Sequence, residues 1–486
     1  MKLRDCFLIL FLAAVSIGLA DGAEIHRWEK LELEGKFREA AQVIQDELAR
    51  SNQSEAIRQN LRFELDRLER IRKDYPFTRE SLFARLQESV RALTRAEFEQ
   101  WIAEGRFDRR EIDGEERFMG SSVSNLFFRY PELNPRRLPP KDTAKFDRTV
   151  WETARAIKQA ARESGRPYVT PKRYHAVMTV TVKSNVVPAG ETIRAWLPVP
   201  REFPFQTGFE LESSSAPMKH LAAGDSSIRS VYLEQPARAN DVTKFQIAYE
   251  YTTHGIFFDV DPAKVRRADR NDPALRPFLS EAPHVVFTPK LRELSAKIVG
   301  NETNSAIIAK RCYEWIATNI KYSYALEYGT IRNISDYCLN KGYGDCGQEA
   351  LLFIALCRLN DIPARWQSGW HFHPGGKTIH DWCEIYLAPY GWMPVDPYMG
   401  IWAAQYSPTL NAEQKKEVRD FYFGGLDAYR LAANSDHNQE LSPAKNSFRS
   451  DPVDFQRGEL EWGTNNIYFD QYRYELDLKE QEVRSE

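Results

Sequence analysis

The stretch Gly344-Asp345-Cys346-Gly347-Gln348-Glu349-Ala350-Leu351-Leu352-Phe353 decides how this 486-residue chain is read. A glycine-flanked turn runs straight into an apolar helix, which puts the Cys346 thiol at the first helical turn. Unpaired N–H groups and the helix dipole at that end favour a thiolate and predict a lowered thiol pKa. Glycine on both sides keeps the sulfur open to a substrate carbonyl. A cysteine that merely starts a helix is the plain alternative, and position by itself does not exclude it.

Downstream stand His380-Asp381-Trp382-Cys383-Glu384-Ile385-Tyr386-Leu387 and Gly391-Trp392-Met393-Pro394-Val395-Asp396-Pro397. Alternation in the first segment puts His380, Trp382, Glu384 and Tyr386 on one face of a strand. A turn at Gly391 lets a second strand return beside it and brings Asp396 toward His380. A histidine next to the thiol takes its proton, and a carboxylate fixes the ring tautomer and stabilises the imidazolium. Upstream, Leu291, Leu294 and Ile298, then Ala306, Ile307, Cys312, Trp315, Ile316 and Ile320, mark two helices packed on a core.

These blocks, with Asp361-Ile362-Pro363-Ala364-Arg365 and the helix ending Tyr313-Glu314-Trp315-Ile316-Ala317-Thr318-Asn319-Ile320-Lys321-Tyr322, resemble the motifs of the transglutaminase-like superfamily over about 285–400. The resemblance implies a papain-like α+β core with Cys346 as nucleophile, His380 as base and Asp396 as orienter. The flanking segments look similar to those of exported bacterial members. The Cys346 N–H is the natural first oxyanion donor. Animal transglutaminases take a second from a tryptophan upstream of the cysteine, and no tryptophan lies between Trp315 and Cys346. Tyr322 or Tyr324 is the candidate for that role through its phenol, with core packing the equal alternative for each.

Trp370, His371, His373 and Trp382 are candidate substrate-cleft residues; the two histidines precede a Pro374-Gly375-Gly376 loop and read as cleft rim. Core packing is the default for the tryptophans. The His and Cys spacings match no zinc pattern, so neither metal nor cofactor is expected.

The rest of the chain frames this core. Residues 24–165 read as helical, with Leu33, Phe37, Ala40, Ala41, Ile44 and Leu48 on one face, Thr78 as an N-cap and Thr94 with Glu97 as a capping box. Residues 166–260 alternate, as in Tyr174, Ala176, Met178, Val180 and Val182, and predict a small antiparallel β-sandwich. The expected architecture is a multidomain α+β chain with the catalytic core at 261–410 and an extension, 411–486, packing on that core. Lys2 and Arg4 before the apolar run Cys6–Ala20 predict a signal peptide over 1–23, hence export to the periplasm or beyond; an uncleaved anchor is the alternative. Cys312, Cys338, Cys346, Cys357 and Cys383 then remain, an odd number that leaves one free nucleophile and up to two disulfides.

A composition of 42% hydrophobic and 28% charged residues with formal net charge -3 gives no electrostatic case for a nucleic-acid partner. No later apolar run has the length of a membrane span. The expected partner is a peptide or protein substrate. Its amide would acylate Cys346 and be released by water; the alternatives are an amine acceptor, giving cross-linking, and a catalytically idle binding protein.

Overall fold

A computed structural model describes residues 25–482, so the expected signal peptide lies outside the described residues. The first 140 or so of these residues fold largely as the helical period dictates. Helices Arg27–Leu33, Phe37–Leu48 and Glu55–Asp74 enclose Trp28, Phe37, Ile44, Leu61, Leu68 and Ile71. Helices Arg79–Ser89, Arg95–Ala103 and Ser122–Arg129 enclose Leu82, Leu86, Phe98, Trp101 and Leu126. Thr78 caps its helix. At Thr94 only half of the expected capping box forms: Thr94 Oγ1 accepts the Glu97 N–H, but the Glu97 carboxylate is held by Arg136. A hairpin, Arg109–Ile112 with Glu115–Phe118, interrupts the helices. Its turn is Asp113-Gly114, both with positive φ, a pair suited to the tight turn that strand twist requires.

The long helix Ala144–Ser164 leads into the sandwich. One sheet pairs Tyr168–Val182 with Thr243–Phe257, and the other pairs Thr192–Pro198 with Ser230–Pro236. Ala176, Met178, Val180, Leu233, Ile247 and Tyr249 close the space between them. The sandwich does not end near residue 260. Tyr472–Gln481 pairs along Tyr168–Val182, and Glu459–Trp462 pairs with Thr192–Pro198. The segment 411–486, expected to pack on the catalytic core, therefore divides its strands between the two units. Those edge strands leave unpaired backbone donors and acceptors, and the last forty residues satisfy them.

The core sheet runs Gly391–Val395, Thr378–Leu387, Ala364–His371 and Arg430–Asn434, with every pair antiparallel. Helix Cys346–Leu359 lies on one face and is buried from Gly347 to Arg358. Leu351, Phe353, Ile354 and Cys357 pack there with Cys383, Ile385, Met393 and Val395. On the opposite face Trp382 packs with Phe203, Phe205 and Ile256 from the sandwich. All five described cysteines are free thiols, so the expected room for two disulfides is not used; Cys312, Cys357 and Cys383 serve as small apolar side chains of this core.

Candidate active site

Asp345 caps the nucleophile helix: its Oδ1 accepts the Gln348 N–H at 3.1 Å, and Gln348 Oε1 accepts the Asp345 N–H at 3.3 Å. This reciprocal pair fixes the turn on which Cys346 stands. Tyr328 Oη donates to Asp345 Oδ1 at 2.7 Å and also lies 3.3 Å from Asp381 Oδ2. Gly347 is cradled by the same groups. A Cβ there would meet Tyr328 Oη at 2.1 Å and Asp381 Oδ2 at 2.7 Å.

The Cys346 thiol keeps part of its surface in solvent and donates to Asp381 Oδ2 at 3.4 Å. This reverses the expectation of a lowered pKa. Burial, then the Asp381 and Asp345 carboxylates, push the thiol up, and the Asp381 backbone N–H only partly offsets them. Enclosure of the thiol, with the two carboxylates adding to it, outweighs the helix dipole.

His380 Nε2 lies 2.8 Å from Asp396 Oδ2, both side chains fully enclosed. The return of Gly391–Val395 along Thr378–Leu387 creates this pair, as Cys383 faces Val395 in register. Asp396 also caps the short helix Pro397–Ile401 through the Met399 N–H at 3.0 Å. A third group completes the cluster. Arg430 Nη1 lies 2.8 Å from Asp396 Oδ2, and its Nη2 donates to Asp427 Oδ2 at 3.0 Å. Burial pushes Asp396 up, but His380 and Arg430 outweigh it and bring its pKa down to about 2.

Cys346 and His380 are not hydrogen-bonded to each other. Strand alternation sends His380 to the Trp382 face and Asp381 to the helix face, so the sulfur meets Asp381 first. The Tyr398 ring, 5.3 Å from the His380 ring, spans the two: a Cys346 thiolate is among the charges that hold its phenol up.

Of the cleft candidates, the tryptophans take their default place in the core, and the histidines depart from the expected rim. Trp370, His371, His373 and Trp382 are all buried. Trp370 packs in the sandwich core and donates to Gln456 O at 2.9 Å, and Trp382 donates to Gln367 Oε1. His371 lies 3.9 Å from Asp427, and burial holds its pKa well below the usual value; that of His373 falls to about 4. The strand Arg430–Asn434 covers this edge and turns an expected rim into interior. Burial raises the Tyr322 and Tyr324 phenols, with the charge of Cys346 a lesser cause in both. Tyr324 is exposed, and Tyr322 is wedged between Phe128 and Tyr398.

The roles of Arg430 and Asp381 are not read from the sequence, whereas Tyr398 belongs to an aromatic group whose default is core packing and of which one or two members are open to lining a cleft. The pattern Asp345-Cys346-Gly347-Gln348 carried a readable capping box, and Asp381 was visible as the neighbour of the candidate base. Nothing local marks Arg430, which reaches Asp396 only through a strand 34 residues further along the chain. No group of three or more His, Cys, Asp or Glu side chains among the described residues is arranged to hold a metal ion.

Residues 292–397 match the family model of the transglutaminase-like superfamily. A curated relative from Haemophilus influenzae, itself called an uncharacterized protein, is 24% identical over 193 residues, 34% of this chain and 52% of its own. The chain thus spans about half the length of that relative. Among solved structures, a candidate cysteine protease from Cytophaga hutchinsonii aligns at 15% identity and a TM-score of 0.42, over 65% of this chain and 93% of that one. The periplasmic domain of TgpA from Pseudomonas aeruginosa aligns at 14% identity and a TM-score of 0.27, over 51% and 95%. Overlaps this loose carry no inference about activity. The stretch 292–397, with its cysteine-headed helix and its histidine and aspartate strands, is a transglutaminase-like domain, the fold of a thiol-enzyme superfamily.

Proposed function

We propose that this chain is a cysteine-dependent amide hydrolase. The single observation that supports it most is the enclosed His380–Asp396 hydrogen bond of 2.8 Å, one residue along the strand from the Asp381 carboxylate that the Cys346 thiol contacts. With Nε2 committed to Asp396, Nδ1 is the nitrogen left to accept the thiol proton. In this reading the thiol proton, held against Asp381 in the structure, passes to His380 when the site rearranges around substrate. The sulfur attacks the amide carbon, and the Cys346 N–H takes the developing oxyanion. As the C–N bond breaks, His380 returns the proton to the departing amine. Water, deprotonated by His380, then cleaves the thioester and restores the thiol. The signal-like run Cys6–Ala20 supports a site of action outside the cytoplasm.

One observation favours a second reading, in which Asp381 is the proton acceptor: its carboxylate is the group in contact with the sulfur. Alkylation of Cys346 by a peptidyl electrophile separates the two. Under the first reading His380→Ala slows labelling about 100-fold or more while Asp381→Asn does not. Labelling no faster than that of a free thiol would end the enzymatic reading. Incorporation of a labelled primary amine from the acyl-enzyme would turn hydrolysis into transfer.

A further inference from the structure

We infer that the N-terminal helical region supplies a substrate subsite for an acidic peptide, at the end of an aromatic ladder that starts beside His380. This rests on the Cys346 reading above. The ladder is continuous in ring contacts. Tyr398 stands 5.3 Å from His380, Tyr322 stands 4.9 Å from Tyr398, and Phe128 stands 4.8 Å from Tyr322. Tyr324 flanks the outer end, 5.6 Å from both Tyr322 and Phe128. Phe128 belongs to the helix Ser122–Arg129, outside the transglutaminase-like stretch.

The outer end is built, not loose. Buried Asn125 clamps the backbone of Tyr324 on both sides: its Oδ1 accepts the Tyr324 N–H at 2.8 Å and its Nδ2 donates to the Tyr324 carbonyl at 3.1 Å. Tyr406 bridges the same two segments, accepting the Tyr322 N–H at 3.1 Å and donating to the Phe128 carbonyl at 2.9 Å. Held this way, Tyr324 still leaves 47% of its surface exposed. What distinguishes it from other exposed apolar side chains is its place at the end of a ladder that leads to His380.

Charge identifies that partner. Lys141 Nζ lies 5.8 Å from the Phe128 ring centre, and the Arg137 guanidinium lies 4.7 Å over the neighbouring Phe127. Neither makes an ion pair with a carboxylate among the described residues. The nearby acids form no ion pair with them: Asp142 accepts the Ala144 N–H at 2.9 Å, and Asp147 Oδ2 is shared by the Thr143 and Thr409 hydroxyls at 3.1 and 2.8 Å, although the Asp147 charge is felt at Lys141. Two unpaired cations beside aromatic faces suit an extended peptide with a carboxylate side chain. Two ring steps separate Tyr398 from Phe128. At about 3.3 Å per extended residue, the acid falls roughly two to four residues from the scissile amide.

The test uses full-length protein and peptidyl electrophiles in pairs, Glu against Gln, at each of four positions flanking the reacting residue. The second-order rate of Cys346 modification is read by mass spectrometry. In parallel, fluorescent peptides of the same sequences are bound to Cys346→Ala, which needs no chemistry. Glu should be preferred roughly three- to tenfold at two to four residues from the reacting group. High salt and Lys141→Gln with Arg137→Gln should abolish the preference, leaving the Gln peptides unchanged. Equal rates and equal binding for Glu and Gln at every position would overturn the subsite. An inert thiol with a Glu preference intact in Cys346→Ala would uphold the subsite and remove the nucleophile reading instead.

Discussion

The strand Thr378–Leu387 carries buried charge on both faces, and the two faces handle it in opposite ways. On the His380 face, Asp396 and Asp427 share the guanidinium of Arg430, and both carboxylates titrate well below the ordinary range despite complete burial. On the Asp381 face no cation touches the acids. Asp381 is held by Gln456, Tyr328 and Cys346, Asp345 by Tyr328 and the Gln348 N–H, and Asp454 by Ser368 and the Phe455 N–H. Burial there prevails: the Asp345 pKa rises to about 6, that of Asp454 to about 7, and Asp381 is carried well above the carboxylate range. A few ångströms of strand thickness separate a cluster held ionised from one whose carboxyl pKa values are all raised. What decides is the presence of a partner of opposite charge, since neutral hydrogen bonds do not repay the loss of water around a full charge.

The most damaging way to break this contrast is to remove the cation. Arg430→Gln should cost about 3–5 kcal/mol in urea unfolding at pH 7, because Asp396 and Asp427 are left buried with no guanidinium. It should also move the acid limb. Asp396, with a folded pKa of about 2 below its ordinary 3.8, contributes stability that is present above about pH 4 and lost as pH falls through 2. In the variant that loss should begin at higher pH. Arg430→Lys should recover part of both effects. A loss under about 1 kcal/mol would show that the cluster is not held by charge.

Filling the opposite face is the next largest perturbation. Gly347→Ala would drive a methyl into Tyr328 Oη, Asp381 Oδ2 and the Trp366 ring. The expected cost is about 1–3 kcal/mol, with slower alkylation of Cys346 as the first helical turn shifts. Wild-type stability together with wild-type labelling would mean that this cradle is soft.

Asp454→Asn sharpens the comparison through pH. A carboxylate whose folded pKa is raised binds its proton more tightly in the fold, so its contribution declines as pH rises from its unfolded value toward the folded one. For Asp454 that window runs from about 4 to about 7. The difference in stability between variant and wild type should shift in the variant's favour across that window, by roughly 1–3 kcal/mol, and be flat below it. Thermal unfolding at pH 4, 5.5 and 7 reads it, and a flat difference throughout would place a cation near Asp454.

Much of this arrangement was legible in the chain. The Gly-Asp-Cys-Gly turn and the Gly391 return depend on residues close in sequence, and local backbone chemistry was enough to place them. The inner face of the sandwich was equally readable at Ala176, Met178 and Val180, where period and burial coincide. What escaped reading is what the last seventy residues do. The strand at Arg430 shuts over His371 and His373, and the strand at Tyr472 extends the sandwich; neither pairing leaves a mark in its own sequence. The rise in the Cys346 pKa escaped for a different reason. A helix start is a local property, whereas the two acids against the sulfur are brought there by the helix cap and by strand register.

The smallest effect is expected at Glu349, one turn into the nucleophile helix, where two opposing terms nearly cancel. Both carboxylate oxygens are buried without a hydrogen-bond partner, and burial, then Asp345 and Asp396, hold the group well above its usual pKa. It therefore holds its proton more tightly in the fold than in the unfolded chain, an imbalance that costs stability as pH rises above about 4. Glu349→Gln removes that cost but brings an amide with two donors into the same unpartnered site, at about 1–3 kcal/mol. At pH 5 the second term should win and the variant be less stable; by pH 8 the first should win and the sign reverse. The crossing, with a net effect within about 1 kcal/mol near neutrality, distinguishes a protonated acid from an ionised one. A Glu349→Gln effect of constant sign from pH 5 to pH 8 would mean that the carboxylate is already charged, and that the helix carries a buried anion on the face that has no cation to meet it.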